Sequence, residues 1–178
     1  MPLAAFQCAD SDRAQHEMLA AIDRFRSAGV RVVGVIEERD PAIVAACSAG
    51  ALRDISSLQS HNIYLDTPRA DTSCRIDATG VDAACAALLA QIPAADVVLL
   101  SKFGKLEAAG GGLFPALQAA LAAGKPVITA VSEKHRDAWR DFAPAATVLA
   151  TADEALAWFA QTRGRRAGDQ ENGTTMPS

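Results

Sequence analysis

The sequence predicts an α/β fold, a single-domain three-layer sandwich in which helices cover both faces of a mostly parallel sheet. The runs "VRVVGVIEE", "DVVLLS" and "KPVITAV" are almost continuously apolar and rich in β-branched residues, as is typical of parallel strands buried on both faces. Stretches with apolar residues at helical spacing separate these runs. The chain has 178 residues, which suits one domain with a substantial core.

The first half of the chain contains two predicted strands and one predicted helix before a segment that is harder to interpret. A short strand is expected in "PLAAFQC", followed by a helix in "DRAQHEMLAAIDRFRSAG" that stops at Gly29. "VRVVGVIEE" is the next strand. Residues 40–75 are expected to form either an antiparallel hairpin, from "ALRDISS" and "HNIYLD", or a loop insertion.

The second half alternates more regularly between strands and helices. A helix is predicted over 79–91, and another begins near Leu113 with Pro115 in its first turn, where the missing N–H costs nothing. A short helix in "EKHRDAWRDFA" and a strand in "ATVLA" follow. The last helix is expected to start with Thr151 as N-cap and Glu154 as its capping-box partner.

The chain is expected to divide into a folded domain, 1–163, and a disordered tail, 164–178, because the tail shows no apolar periodicity. Within the domain, three aromatic residues are predicted to pack against the sheet: Trp139, Phe142 and Trp158.

Charge and composition exclude several kinds of partner. The net charge is −4, whereas a general nucleic-acid binder needs a basic face. No apolar run approaches the roughly 20 residues that span a bilayer, so membrane insertion is not expected. The start of the chain lacks the features of a signal peptide, so a cytoplasmic location is expected. Homo-oligomerisation is left open.

The four cysteines, at positions 8, 47, 74 and 85, show no C-x-x-C spacing. A zinc ribbon or a redox dithiol is therefore not indicated. Cys85 lies in a helical pattern and is interpreted as a small core residue.

The segment after the first strand, "ADSDRAQH", is where a phosphate-binding P-loop would lie in a nucleotide hydrolase. It contains no glycine and no Gly-Lys-Ser/Thr sequence, and its aspartates would repel phosphate. This argues against ordinary ATP or GTP hydrolysis. Asp10, Ser11 or Asp12 is expected to cap a helix, with a metal-ligand role for Asp10 or Asp12 as the alternative.

The stretch "LLSKFGKLEAAGGGLF" combines positive charge with glycines at a strand-to-helix junction. In a parallel sheet it should reach the carboxyl edge, together with "FQCADSDRAQH" and "TAVSEKHRD". Lys102 and Lys105 would supply charge to an anion, and glycines let backbone N–H groups approach it. The predicted ligand-binding residues of this stretch are Ser101, Lys102, Gly104, Lys105, Gly110, Gly111, Gly112 and Leu113. The alternative is a flexible loop with solvated lysines and a Glu107 surface pair.

A third feature is "DTSCRIDATG". The Arg75 guanidinium could donate two hydrogen bonds to an oxyanion, and the Ser73 hydroxyl could donate another. A thiol beside an arginine has a lowered pKa, so Cys74 also raises a redox or metal-ligand interpretation. The alternative is a helix start capped by Asp77 or Thr79.

Three segments together carry a family resemblance: "CRID", "DVVLLSKFGKLEAAGGGL" and "GKPVITAVSEKHRDAWRDFA". They resemble the bacterial family called domain of unknown function 2478, and the similarity covers most of residues 3–160. The most specific part is Lys-Phe-Gly-Lys-x-Glu, whereas residues 38–70 differ from the usual loop.

The resemblance implies a fold related to P-loop nucleoside triphosphatases, here with a degenerate P-loop. Ser101 and Lys102 stand where those relatives carry an Asp-Glu pair for magnesium and water. Family members are often encoded near molybdate uptake and molybdenum-enzyme genes, which implies a link to that metal.

The leading functional hypothesis is accordingly a non-enzymatic protein that binds a small inorganic anion, molybdate or tungstate, as its ligand; no other cofactor is indicated. One alternative is a diverged nucleotide-binding phosphohydrolase or transferase, with Glu107 as catalytic base and Lys105 for phosphate. Another is a regulatory interaction module of a molybdenum system.

Overall fold

A computed structural model describes residues 2–8, 10–38, 50–64 and 77–172 of the chain. Within these ranges seven strands form one sheet, in the order β4-β3-β2-β5-β6-β1-β7. All neighbours in the run from β2 to β7 are parallel, and β3 and β4 extend the sheet antiparallel beyond β2. The mostly parallel sheet is therefore confirmed. Its strands are β1 Leu3–Phe6, β2 Val32–Glu38, β3 Ala51–Asp54, β4 Ser60–Asn62, β5 Val97–Phe103, β6 Val127–Val131 and β7 Thr147–Leu149.

Helices cover both faces of this sheet. They are α1 Ser11–Ser27, α2 Ala78–Gln91, α3 Lys105–Ala108, α4 Phe114–Ala122, α5 Arg136–Phe142 and α6 Ala152–Asn172. Apolar residues of α1 and α6 form one core with the sheet, and those of α2, α4 and α5 form the other. The three-layer arrangement is confirmed. None of the helices in the described ranges has the length and apolarity that crossing a membrane requires.

The strand β5 shows why the central strands are apolar throughout. Val97 and Leu99 belong to the core under α1 and α6, whereas Val98 and Leu100 belong to the core under α2 and α4. Successive side chains of a strand point to opposite faces of the sheet. When helices cover both faces, every position is buried, so the strand is apolar throughout instead of alternating between apolar and polar residues.

The segment 51–62 forms the antiparallel hairpin rather than a loop insertion. Asp54, which is fully buried, ties this hairpin to α2. Its carboxylate accepts hydrogen bonds from the backbone N–H groups of Ser56 (2.7 Å) and Ser57 (2.8 Å) and from the side chain of Gln91. Burial alone would raise the pKa of Asp54, but these hydrogen bonds outweigh it and lower the pKa below its usual value.

The aromatic predictions are confirmed on α5, and on α6 Trp158 also packs against the core, although only as a partly buried residue. Trp139 is 2% exposed and meets Phe103 edge to face, with ring centroids 5.1 Å apart. On α6, however, the core aromatic is Phe159, which packs against Phe25 at 5.3 Å. Trp158 is only half-buried, because the helical period directs the side chains of Ala155 and Phe159 to the sheet and leaves Trp158 at its margin.

The last helix is longer than the sequence indicates. It begins as predicted, with the Glu154 N–H donating to the Thr151 hydroxyl at 3.3 Å, although the Glu154 carboxylate accepts from Ala150. It then runs to Asn172, whereas the sequence predicts an unstructured tail from residue 164. A capped, well-packed helix propagates at little cost, so it continues past its last core contact.

Candidate functional site at the carboxyl edge of the sheet

The glycine-rich junction after β5 is organised around the Glu107 carboxylate. This side chain is 8% exposed. One carboxylate oxygen accepts the Gly104 N–H at 3.0 Å and the other accepts the Leu113 N–H at 3.1 Å. Glu107 therefore joins the start of α3 to the start of α4. The surface ion pair suggested for Glu107 is wrong, because its carboxylate points into the loop.

The three glycines allow the loop to close around this carboxylate. Gly110 and Gly112 have left-handed backbones, with φ of +80° and +61°. A Cβ atom on Gly112 would lie 2.5 Å from the nearer Glu107 oxygen. The N–H groups of Gly110 and Gly111 donate to the carbonyls of Glu107 and Leu106 at 3.0 and 2.9 Å.

These contacts correct one part of the anion hypothesis. The backbone N–H groups of Gly110, Gly111 and Leu113 already have acceptors inside the loop. An anion would have to displace a buried carboxylate or a backbone carbonyl to reach them. The backbone N–H groups of the junction are consequently used within the turn itself. Any positive charge that the junction presents to an anion comes from its side chains.

The two lysines of the junction differ in their surroundings. Lys102, on the exposed side of β5, forms an ion pair with Glu37 at the end of the neighbouring strand β2. Lys105 is exposed, and within the described part of the chain its amine has no ion pair or hydrogen bond. Ser101 is buried in β5, just where the pairing with β6 becomes irregular. Lys105 is thus the freer of the two cations.

The end of β6 brings a histidine to the same edge. The Ser132 hydroxyl and His135 Nδ1 lie 3.0 Å apart. Burial lowers the pKa of His135, and the cations Lys134 and Lys102 lower it further, against the opposing effect of Glu107. His135 therefore lies within electrostatic reach of Lys102 and Glu107, which places the ends of β5 and β6 together.

Arg136 follows directly and links this edge to the end of β1. Its Nε is buried and has no acceptor among the described residues, and Nη1 lies 3.7 Å from the Glu133 carboxylate. Burial raises the pKa of the Cys8 thiol, while Arg13 and Arg136 act against this and Glu17 and Asp10 reinforce it. The half-buried Cys8 consequently lies within electrostatic reach of both arginines.

The segments "FQCADSDRAQH", "LLSKFGKLEAAGGGL" and "TAVSEKHRD" thus approach one another at this edge as expected from the topology, although His135 and Arg136 were not singled out by sequence. Asp10 caps α1, accepting the Asp12 N–H at 2.9 Å. Cys85 is a buried core thiol. Ser73, Cys74 and Arg75 lie outside the described residues, so their place in the site stays a prediction.

Metal ligands do not cluster in the described ranges: no group of three His, Cys, Asp or Glu side chains there is arranged to hold an ion. Cationic and titratable side chains that could hold an anion follow β5 and β6: the amines of Lys102 and Lys105, the imidazole of His135 and the guanidinium of Arg136.

Comparison with known proteins gives a family and one curated relative. A family model described as "Protein of unknown function (DUF2478)" matches residues 3–158. The molybdenum import ATP-binding protein ModC 2 of Bradyrhizobium diazoefficiens is 34% identical over 143 residues, which cover 78% of this chain and 16% of that protein. Likeness to an ATP-binding protein agrees with a P-loop NTPase-like fold for the sheet described above. No solved structure matches the chain.

Proposed function

The chain belongs to the DUF2478 family, and from this premise we propose that it binds a small tetrahedral oxyanion, molybdate or tungstate, at the carboxyl edge of β1, β5 and β6. The observation that carries the proposal is Arg136, whose Nε is buried without an acceptor in the described part of the chain. A buried donor without a partner costs about 1–3 kcal/mol, and a bound anion would remove this cost. The planar guanidinium also matches an oxyanion geometrically.

The surrounding charges support an anion over a cation. Lys105 is free to turn toward a ligand, and His135 gains a positive charge when an anion favours its protonated form. Lys102 contributes less than sequence alone suggests, because Glu37 already neutralises it. Ser101 and the segment holding Ser73, Cys74 and Arg75 are proposed to complete the site.

The link to molybdenum rests on the similar protein, whose name assigns it to molybdenum import. We propose that this chain acts in the uptake or use of the same element. Its sequence lacks the P-loop glycines and lysine, and both oxygens of Glu107 are held by backbone N–H groups, so oxyanion binding is favoured over nucleotide hydrolysis with Glu107 as base.

Calorimetry with molybdate, tungstate, sulfate and phosphate tests the proposal. We expect Arg136→Ala to weaken binding roughly tenfold to a hundredfold, since a hydrogen bond to a charged group is worth about 1.5–3 kcal/mol. Arg140→Ala is the matched control. Arg140 lies one turn later on the same short helix, is exposed, and pairs with Asp137 at 3.2 Å.

Three results decide between the proposals. Binding of molybdate or tungstate that Arg136→Ala weakens and Arg140→Ala leaves unchanged supports the oxyanion site. Absence of binding to all four anions at millimolar concentration overturns it. Magnesium-dependent binding or turnover of a nucleotide favours the diverged phosphohydrolase instead.

A second candidate function is an accessory module of a molybdenum importer. It is favoured by the way the two proteins match. A segment similar to most of this chain makes up only 16% of the molybdenum import ATP-binding protein, so in that protein the segment is joined to a much larger remainder. Co-sedimentation of the purified chain with a purified importer ATPase would test this. A complex that forms without added anion supports the module, and its absence overturns it.

A further inference from the structure

The lateral edge of the sheet carries a second feature, distinct from the oxyanion site. β7 is the last strand beside β1, and on its outer side no strand of the described chain pairs with it. Val148, in the middle of β7, is 59% exposed. An unpaired strand edge with an apolar side chain is a template for pairing with another chain.

A groove of about 590 Å³ runs between β7 and α6 along this edge. Its α6 wall is formed by Glu154, Ala157, Trp158, Gln161, Thr162 and Arg165, and four of these, Glu154, Trp158, Gln161 and Arg165, form one helical stripe. Spacings of four, three and four residues keep such side chains on one face of a helix. The stripe is acidic at its start, aromatic in the middle and basic at its end.

Because the stripe has opposite charges at its two ends, this edge is complementary to the same edge of a second copy in the reversed orientation. α6 follows β7 after a short turn and runs back along it, so Glu154 lies near the carboxyl end of β7 and Arg165 near the amino end. The two charges are separated by eleven residues, about 16 Å along a helix. A twofold rotation about an axis at Val148 exchanges the two ends, which places Glu154 opposite Arg165 of a second copy.

We propose that the occupant of this groove is a second copy of the chain. The two β7 strands pair antiparallel across the twofold axis and join the two sheets. Val148 lies on the face opposite Leu149 and α6, so the Val148 side chains of the two copies meet each other at the axis on that face. On the α6 face, two Glu154–Arg165 ion pairs close the ends. Such an isologous contact uses the same patch on both subunits, as most homodimers do.

Sedimentation equilibrium over a concentration series tests the proposal. The wild-type chain is expected to associate to a dimer, and Val148→Lys to stay monomeric because its charge lies on the axis. Leu89→Lys is the control, since Leu89 is also exposed, at 37%, but lies on α2 at the other face of the sheet. It should dimerise like the wild type.

Charge reversal separates the interface from loss of fold. Arg165→Glu and Glu154→Arg should each weaken dimerisation at least roughly tenfold, and the double variant should restore it, because the ion pairs re-form with opposite sign. Glu154 also accepts the Ala150 N–H, so a lower melting temperature is expected in Glu154→Arg and in the double variant, both of which lack the Glu154 carboxylate. Damage to the fold would not be rescued by the second reversal.

Several outcomes overturn the proposal. They are a wild-type chain that stays monomeric at every concentration, a dimer that survives Val148→Lys, and a double variant no better than the singles. A dimer in which only Leu89→Lys is monomeric would place the interface on the other face.

Discussion

At the scale of single residues, Glu107 illustrates how burial changes the meaning of a charged side chain. In the sequence it follows two lysines and is a natural surface partner for them. In the structure each of its oxygens accepts a backbone N–H, at 3.0 and 3.1 Å. No local pattern distinguishes these roles, because the second donor, Leu113, lies beyond the glycine turn.

Glu107→Gln should lower the free energy of unfolding by about 1–3 kcal/mol. A carboxamide has one oxygen, so it can accept only one of the two hydrogen bonds and turns an N–H group toward the other donor. Urea denaturation measures the difference. Glu133→Gln, an equal charge change at an exposed position, is the control and should leave stability almost unchanged. Equal stabilities for the two variants would contradict the assigned role.

His135 should make oxyanion binding depend on pH. Its pKa is lowered in the free protein by burial and by Lys134 and Lys102, so the folded chain prefers the neutral ring and loses stability as the pH falls through that pKa. A bound anion favours the protonated ring. Affinity should consequently increase as the pH falls below about 6.5, the ordinary histidine value.

Calorimetry at several pH values measures this effect in the wild type and in His135→Asn. The variant should lose the pH-dependent part. His16→Asn removes an exposed histidine of α1 and should retain it, which controls for protonation of the anion itself. An identical pH profile in all three proteins would exclude His135 from the site.

At the scale of elements, the glycine turn between α3 and α4 gives a matched pair of substitutions. Gly110 and Gly112 both have positive φ, but a Cβ atom on Gly110 would meet nothing within 4 Å, whereas on Gly112 it would meet Glu107. Gly110→Ala should cost about 1–2 kcal/mol for the left-handed backbone alone. Gly112→Ala should cost clearly more. Chemical denaturation compares them, and equal losses would show that the Glu107 contact is unimportant.

The elements themselves were largely predictable where the chain is buried on both sides. β2, β5 and β6 are short apolar runs, which the sequence predicts as buried strands. Pro115 marks the start of a helix and Gly29 marks the end of one. The hairpin remained open between two interpretations because β3 and β4 have four and three residues and are held by Asp54, a partner that no local pattern reveals. The sequence does not indicate the end of α6 for a related reason, since helix propagation continues without an apolar face.

At the scale of the whole molecule, the strand order decides which side chains share the site. Lys102 meets Glu37 only because β5 lies beside β2, and Arg136 approaches Cys8 only because β6 lies beside β1. The positions of strands and helices along the chain can be predicted from a single sequence, but the order of the strands within the sheet cannot. The carboxyl edge could therefore be predicted as the location of the site, while its members Arg136 and His135 could not.

The position of β1 between β6 and β7 has a consequence for the nascent chain. Both partners of β1 come from residues 127–149, so β1 is synthesised well before the strands that pair with it. At about 5–20 residues per second, the ribosome needs roughly 7 to 29 seconds to pass from Phe6, the end of β1, to Leu149, the end of β7. During this time, Leu3–Phe6 and the apolar face of α1 lack their final cover. Chaperone binding to this protein should consequently concentrate on Leu3–Phe6 and α1 and end when β6 and β7 emerge.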